Sequence, residues 1–409
     1  MALLVGNAIV GQSGGPTSAI NATLSGVIKG AHHSGAIKKL YGMQNGIEGF
    51  LNEELLDLTY LFGDEKSLSI LETTPASALG SCRKKLPPCV DDSEIYNRIV
   101  EIFKKYDIRY FFYIGGNDSM DTVKKLDEYF RDNEYEIRIV GVPKTIDNDL
   151  VLTDHTPGFG SAAKFIATTI KEIACDCAVY RLKAVTIVEM MGRDAGWLTA
   201  ASGLPEYYTG FGADLIYLPE IFFDDDRFIE DVKAKLEKQP NVVVAVSEGV
   251  RYKNGRYVGE GSQSGAVDAF GHKYLAGTAK NLEHLVKAKI GCKVRSVELN
   301  LPQRCSAHSH SKTDIDESVM IGAEAVNQAV LGKSGVMVAF QRNEGEYGVS
   351  ITCVPASQVA NKVRLVPKEF INSEGNGVTE ECIKYLSPLI LGERALVYEN
   401  GMPVHLKLR

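Results

Sequence analysis

The sequence predicts an α/β protein of two domains, and three observations carry that prediction. Its 409 residues exceed the usual size of a single hydrophobic core. Apolar, β-branched runs alternate with stretches of helical spacing, the pattern of parallel strands joined by helical crossovers. These strand-like runs end in Gly, Pro or charged residues, which places chemically capable loops at strand carboxyl ends, where open α/β sheets bind ligands.

The first unit is a short apolar strand at residues 7–10, then Gly11-Gln12-Ser13-Gly14-Gly15-Pro16, then helical spacing over 17–30. Strand, glycine turn and helix together point free backbone N–H groups and a helix dipole at a phosphate, with Gly14 and Gly15 as the contacts. A second Gly-rich stretch, 42–49, reads as a plain connection. Residues 80–85, Gly-Ser-Cys-Arg-Lys-Lys, put three cations after a small-residue turn, either a solvated basic loop or an anion clamp carried by Arg83.

The second unit is an aromatic strand at 110–114 that ends in Gly115-Gly116-Asn117-Asp118-Ser119. A helix follows over 120–130, with Met120, Val123, Leu126 and Phe130 on its apolar face. The third is an apolar run at 137–142 that stops at Pro143 and opens into Lys144-Thr145-Ile146-Asp147-Asn148-Asp149. A carboxylate there can take a proton from a substrate hydroxyl while the lysine holds an anion beside it. The same Asp and Asn side chains can instead bond their own backbone in a strand-to-loop turn. Right-handed crossovers bring all three loops to one edge of one sheet.

Beyond residue 149 the chain turns through 156–160 into a helix with Ala163, Ile166, Ile170 and Ile173 on one face. A strand at 184–190 ends in Met191-Gly192-Arg193-Asp194, and a helix starts at Trp197. Further strands fall at 215–218, 242–246 and 294–299, and Asp224-Asp225-Asp226 suits the positive end of the helix between them. This is a second α/β layer. Its loops carry Arg193, Glu248, and Arg295 with Arg304, a placement that favours a sugar-phosphate site.

Composition bounds the partners. A net charge of -7 excludes a surface that attracts nucleic acid as a whole, so a polyanionic substrate must meet local cations. No apolar run approaches the roughly 18 residues of a membrane span, and the first residues lack a basic start and cleavage pattern. A cytoplasmic protein with neither membrane nor nucleic acid as partner is expected. The eight cysteines form no CxxC pair and predict reduced thiols rather than a disulfide frame. Cys305, His308 and His310 lie close together, but no second ligand cluster accompanies them as a metal site would need.

Taken in order, the motifs at 80–83, 115–119, 143–149, 191–193, 248–249 and 303–304 resemble those of the phosphofructokinase family, and within it the pyrophosphate-dependent branch. The resemblance runs from about Gly11 to Arg304; the segment after Phe340 adds little to it. It implies two Rossmann-like three-layer α/β/α domains with the active site in the cleft between them. The donor-binding domain would be 1–155 plus about 304–350, and the sugar-phosphate domain 156–303 plus about 351–409. It also implies reversible, Mg²⁺-dependent transfer of a phosphoryl group from pyrophosphate to the 1-hydroxyl of fructose 6-phosphate.

Carried over position by position, Asp147 is the base, with Lys144, Thr145 and Asp149 beside it. Gly14, Gly15, Arg83, Gly116, Asn117, Asp118 and Ser119 face the phosphoryl donor, and Asp118, with Asn117 second, is the metal ligand. Met191, Gly192, Arg193, Glu248 and Arg304 hold the sugar phosphate. Arg295 would come from a neighbouring subunit, and Lys183 would replace a cation that relatives supply in the same way, in a homodimer or homotetramer with shared active sites.

Donor choice follows from two positions. ATP-using relatives typically have glycine where Asp118 stands, because backbone must pass close under the nucleotide. A carboxylate there fills that room and repels an α-phosphate. Lys144 is typical of pyrophosphate users. Three departures accompany the match: Asn117 replaces a common aspartate, Leu301 a common histidine or tyrosine, and Ala184 takes the spacing of the expected cation. The alternatives are an ATP-dependent 6-phosphofructokinase and a sugar-phosphate-binding regulatory subunit without turnover, which only Asn117 supports. A nicotinamide-dependent dehydrogenase fails for want of a G-x-G-x-x-G turn after the first strand.

Overall fold

A computed structural model describes residues 3–260 and 277–406 of the chain. Apart from a short two-stranded hairpin at Tyr398–Glu399 and Met402–Pro403, the two main sheets among the described residues are made up of eleven strands. They are β1 (Gly6–Gln12), β2 (Ile37–Met43), β3 (Leu55–Asp57), β4 (Ile108–Gly115), β5 (Arg138–Pro143), β6 (Ala184–Met190), β7 (Leu215–Tyr217), β8 (Asn241–Ser247), β9 (Lys293–Glu298), β10 (Val336–Arg342) and β11 (Val349–Pro355). The larger sheet runs β11-β10-β5-β4-β1-β2-β3 and the smaller β7-β8-β6-β9. Pairing is parallel throughout the smaller sheet and antiparallel only at the two edges of the larger, β10 with β11 and β2 with β3.

Both sheets are covered on both faces, which is why their strands read as continuous apolar runs. Along β4 the faces alternate: Phe111 and Tyr113 join one core, Tyr110, Phe112 and Ile114 the other. In β6, Val185 and Ile187 face one core while Val188 and Met190 face a second. The result is two three-layer α/β/α units, the expected fold class.

The registers fix where the loops fall. Gln12 of β1 pairs with Ile114 of β4, and Gly115 of β4 with Pro143 of β5, so three strand ends lie side by side. In the smaller sheet Met190 of β6 pairs with Ser247 of β8, bringing the 191–194 and 248–249 loops together. The helix Phe159–Ala178 leaves the third loop of the larger sheet and packs Phe159, Ile166 and Ile170 into the same core as Val188 and Met190.

Some local structure differs from the sequence reading. The helix expected over 17–30 is Ile20–His33. It crosses Lys312–Val330 so closely that a Cβ on Gly26 would stand 2.1 Å from the Val319 carbonyl oxygen. The stretch 42–49 is more than a connection: it ends β2 and starts the helix Gly46–Leu51, after Asn45 turns the chain at φ +56°. Past residue 350 the chain stays with the larger sheet, because β11 folds back on β10 and covers its edge. The segment after it returns to the second unit, where Val366, Ile383, Leu386 and Leu389 are buried beside the helix Phe159–Ala178. All eight cysteines are free thiols. Among the described residues no helix is long and apolar enough to cross a membrane.

Candidate active site

The carboxyl ends of the two sheets face a cavity of about 430 Å³. From the larger sheet it is lined by Gly14 and Gly15, by Arg83, by Gly116, Asn117, Asp118 and Ser119, and by Lys144, Thr145, Asp147 and Asp149. From the other side come Met191, Arg193, Glu248 and Arg304. Residues as far apart in sequence as Gly14 and Val363 thus share one space.

Local sequence explains the donor-side turns. A Cβ on Gly115 would lie 1.9 Å from Ser119 Oγ, so only glycine lets the helix Asn117–Arg131 start directly off β4. Gly14 takes φ +75°, and a Cβ on Gly15 would stand 3.2 Å from Arg304 Nη1. Ser81 Oγ donates to the Gly14 carbonyl at 2.6 Å and Gly14 N–H to the Cys82 carbonyl at 3.2 Å, binding the basic 80–85 loop to the first turn. Lys85 reaches Asp118 at 2.8 Å.

Lys144 is 3% exposed. Its N–H donates to the Gly115 carbonyl at 3.0 Å and its Nζ to the Gly15 carbonyl at 2.5 Å, so it links all three loops. Burial brings its pKa down to about 8, with Arg304 and Arg83 adding to the effect and Asp147 opposing it. The Asp147 N–H donates to Thr145 Oγ1 at 3.1 Å, which fixes the backbone of the carboxylate. Burial raises the Asp147 pKa against the pull of Arg193 and Lys144. Burial and the neighbouring Asp147 push Asp149 up to about 7. Between the two lies Asn148, fully buried at φ +53°, a backbone region that asparagine tolerates better than most residues.

On the other side Gly192 takes φ +123°, and a Cβ there would meet the Ala195 carbonyl at 2.7 Å. It shapes the wall rather than lining the cavity: its carbonyl accepts from Ser247 Oγ at 2.7 Å and its N–H donates to Glu248 Oε1 at 3.3 Å. Burial, with Asp147 and Glu189 nearby, brings Glu248 up to about 8. Met191 N–H donates to Gln303 Oε1 at 3.2 Å, which ties the 191–194 loop to the short helix carrying Arg304. Burial and the nearby Arg83 lower the Arg304 pKa, so the cations of the two sides feel each other across the cavity. The arrangement offers an anion-holding end, a buried carboxylate at the centre and a mixed polar end.

Sequence comparison assigns this arrangement to a family. The pattern of the Phosphofructokinase family matches residues 7–329. The chain belongs to the phosphofructokinase family. It is 40% identical over 406 residues to the pyrophosphate--fructose 6-phosphate 1-phosphotransferase of Halomonas elongata, covering 98% of this chain and 96% of that one. Against the protein of the same name from Methylococcus capsulatus the identity is 39% over 408 residues, covering 98% and 96%. The crystal structure of the pyrophosphate-dependent phosphofructokinase from Nitrosospira multiformis superposes with a TM-score of 0.88 at 37% identity, covering 98% of this chain and 96% of that one.

Within this phosphofructokinase fold, Lys183 and Arg295 stand apart from the other candidates. Both are exposed, near the amino ends of β6 and β9, the opposite end of the smaller sheet from the cavity. Arg295 lines a surface hollow with Tyr180 and Leu182, and Lys183 another with Lys233 and Cys292. Leu301 is 53% exposed and does not line the cavity.

Sequence reasoning missed several cavity residues: Thr17, Lys85, Asp194, Asn361 and Val363. Lys85 and Asp194 each adjoin a motif already singled out, and that adjacency could have found them. Asn361 and Val363 carry no local signal. They arrive from the C-terminal segment, where Asn361 Nδ2 donates to Asp121 Oδ1 at 3.2 Å. Among the described residues no group of three or more His, Cys, Asp or Glu side chains is gathered as a metal cage.

Proposed function

We propose that the protein transfers a phosphoryl group from pyrophosphate to the 1-hydroxyl of D-fructose 6-phosphate, giving fructose 1,6-bisphosphate and phosphate, and that it works in both directions. The observation that carries the donor choice is the pair Lys144 and Asp118 on one wall of the cavity, a buried ammonium with a carboxylate where a nucleotide would need open backbone. Relatives named for this reaction, similar over almost the whole chain, support the same reading.

Asp147 acts as the general base. It accepts the proton of the sugar 1-hydroxyl as that oxygen attacks phosphorus in line. Its raised pKa, set by burial, brings it closer to the range where a carboxylate both ionises and accepts a proton usefully. Lys144, Arg83 and the backbone N–H groups of the Gly14-Gly15 and 116–119 turns neutralise charge on the transferring group and the departing phosphate. Thr145 orients the Asp147 backbone, and Asp149 lies beside it. Met191, Arg193, Glu248 and Arg304 hold the sugar phosphate, with Gly192 setting the path of that wall.

Mg²⁺ is the cofactor of this reading. Asp118, with Asn117 beside it, fits a hard cation that takes one or two protein oxygens and fills its remaining positions from pyrophosphate and water, consistent with the lack of a three-ligand cage among the described residues. When bound, it would help neutralise the charge of pyrophosphate. Lys183 and Arg295 complete the sugar site of a neighbouring subunit in a homodimer or homotetramer. The exposed Tyr180 and Leu182 beside them supply apolar surface for that contact. The two halves divide the labour, with the larger sheet binding the donor and the smaller one the sugar phosphate.

A coupled assay for fructose 1,6-bisphosphate, run with pyrophosphate or ATP as donor, tests the proposal. Turnover with pyrophosphate and its reversal by phosphate are expected. Turnover with ATP alone would overturn the donor choice, and fructose 6-phosphate binding without turnover under either donor would overturn the enzyme reading.

A further inference from the structure

We propose that Arg364 and Tyr385, from the C-terminal segment, are positioning residues for the 147–149 loop; the inference rests on the reaction proposed above. Neither residue lines the cavity. Both hold the backbone on which Asp147 stands. Arg364 N–H donates to the Asp149 carbonyl at 2.7 Å, and its guanidinium to the Thr153 carbonyl at 2.6 Å. The Tyr385 hydroxyl accepts from Asn148 Nδ2 and from Arg364 Nη2, each at 3.0 Å, and donates to the Asp154 carbonyl at 2.6 Å. One donor and two acceptor sites are all a phenol hydroxyl has, so its hydrogen-bonding capacity is full.

The clamp is itself fixed. Trp197 Nε1 donates to the Arg364 carbonyl at 3.0 Å, the guanidinium lies 4.5 Å from the Trp197 ring, and the Tyr385 and Trp197 rings are 5.2 Å apart. Arg342 donates to the Tyr385 carbonyl at 3.1 Å. The part of the loop it grips is the part that needs gripping. Asn148 is buried at positive φ, and without Tyr385 its side-chain amide would lose the hydroxyl it donates to. Both neighbours of Asn148 are the carboxylates of the site. Movement of this residue therefore passes directly to Asp147, and a displacement of about 1 Å at a reacting group can cost on the order of 10²-fold in rate.

Tyr385→Phe keeps the ring packing and removes only the hydroxyl. We expect kcat to fall by about 10-fold to 100-fold, with KM for both substrates within about threefold of the parent. Arg364→Met should behave alike. Cys382→Ala is the control: it opens a void on the same helix, Glu380–Leu386, without touching the loop. It should lower the melting temperature and leave kcat within about twofold. Amide hydrogen exchange gives a readout independent of turnover, because Tyr385→Phe should speed exchange around 147–149 and Cys382→Ala should not. A Tyr385→Phe protein with parental kcat and parental exchange would overturn the inference, as would a loss of kcat matched by Cys382→Ala at equal destabilisation. If the parent turns over neither donor, the proposed reaction fails, and unchanged exchange in Tyr385→Phe still decides against the clamp.

Discussion

The two ends of the cavity are built differently. The donor end comes from three neighbouring strands of one sheet, and much of its chemistry is backbone: glycine turns, the first turn of a helix, and Lys144 tied to two of those turns. The sugar end is assembled from side chains on β6 and β8 loops, a short helix near residue 304 and, in our proposal, residues of another subunit. A site made from adjacent strand ends is complete once its sheet folds. A site made from scattered side chains depends on everything that positions them. The carboxylates of the 147–149 loop stand between the two and should fail differently from either.

The largest effect is expected at that centre. Asp147→Asn keeps size and much of the hydrogen bonding but removes the base, and kcat should fall by about 10²-fold to 10⁴-fold. KM for pyrophosphate and for fructose 6-phosphate should stay within a few-fold, since both ends remain intact. Steady-state kinetics with each substrate varied in turn would settle this, and a variant retaining more than about a tenth of the parental kcat would remove Asp147 from the role of base.

Next in size is a change confined to the donor end. Replacing Asp118 and Lys144 together by glycine restores open backbone and withdraws an ammonium worth roughly 10²-fold to 10³-fold in the transition state. The ratio of kcat/KM for pyrophosphate to that for ATP should drop by at least about 10²-fold, while KM for the sugar phosphate changes little. An unchanged ratio would mean that donor choice lies elsewhere, with the wall of Asn361 and Val363 the first place to look.

The same contrast governs what could be read from sequence. The βα units and their strand-end loops were legible because periodicity and parallel pairing determine where a loop must fall, and 14–15, 116–119, 144–147 and Asp149 do line one cavity. Arg193 and Glu248 were legible for the same reason. Asn361, Val363, Arg364 and Tyr385 were not, because a segment that returns to a site hundreds of residues earlier in the chain leaves no local period. The hydrogen bond from Asn148 to Tyr385 spans 237 positions. The helix at Gly46–Leu51 was hidden by its own glycines, which read as a turn, whereas only Asn45 and Gly46 take the positive φ that turns the chain before the helix runs on.

A smaller effect should mark the incompleteness of the sugar end. Arg295→Ala leaves the cavity of its own chain untouched, so KM for fructose 6-phosphate should rise by about 10-fold while KM for pyrophosphate does not move. Mixing it with Asp147→Asn, dissociating and reassociating the subunits, should form hybrids in which one site has both Asp147 and a neighbour's Arg295. Recovery of low-KM turnover is the expected result. If the mixture stays as slow as its components, the site is not shared in this way.

The smallest effect, on stability, separates the centre from both ends. Burial and the nearby Asp147 push Asp149 up to about 7, whereas in the unfolded chain its pKa is about 3.9. Between those values the folded protein keeps a proton that the unfolded chain has released. The contribution of Asp149 to stability therefore falls as pH rises through that window, and above about pH 7 the full penalty of a buried charge remains. Asp149→Asn removes the charge and with it the penalty. At pH 8 the melting temperature should rise, by roughly 1 °C for each kcal/mol recovered in a chain of this length, even as turnover falls. Near pH 4 the parent carboxyl is neutral in the folded state, and the advantage should vanish. A gain of equal size at both pH values would assign it to packing instead of charge. No gain at pH 8 would show that the loop holds Asp149 without strain, and the centre of the cavity would then resemble its donor end, stable as folded, more than a site that keeps an unfavourable charge for chemistry.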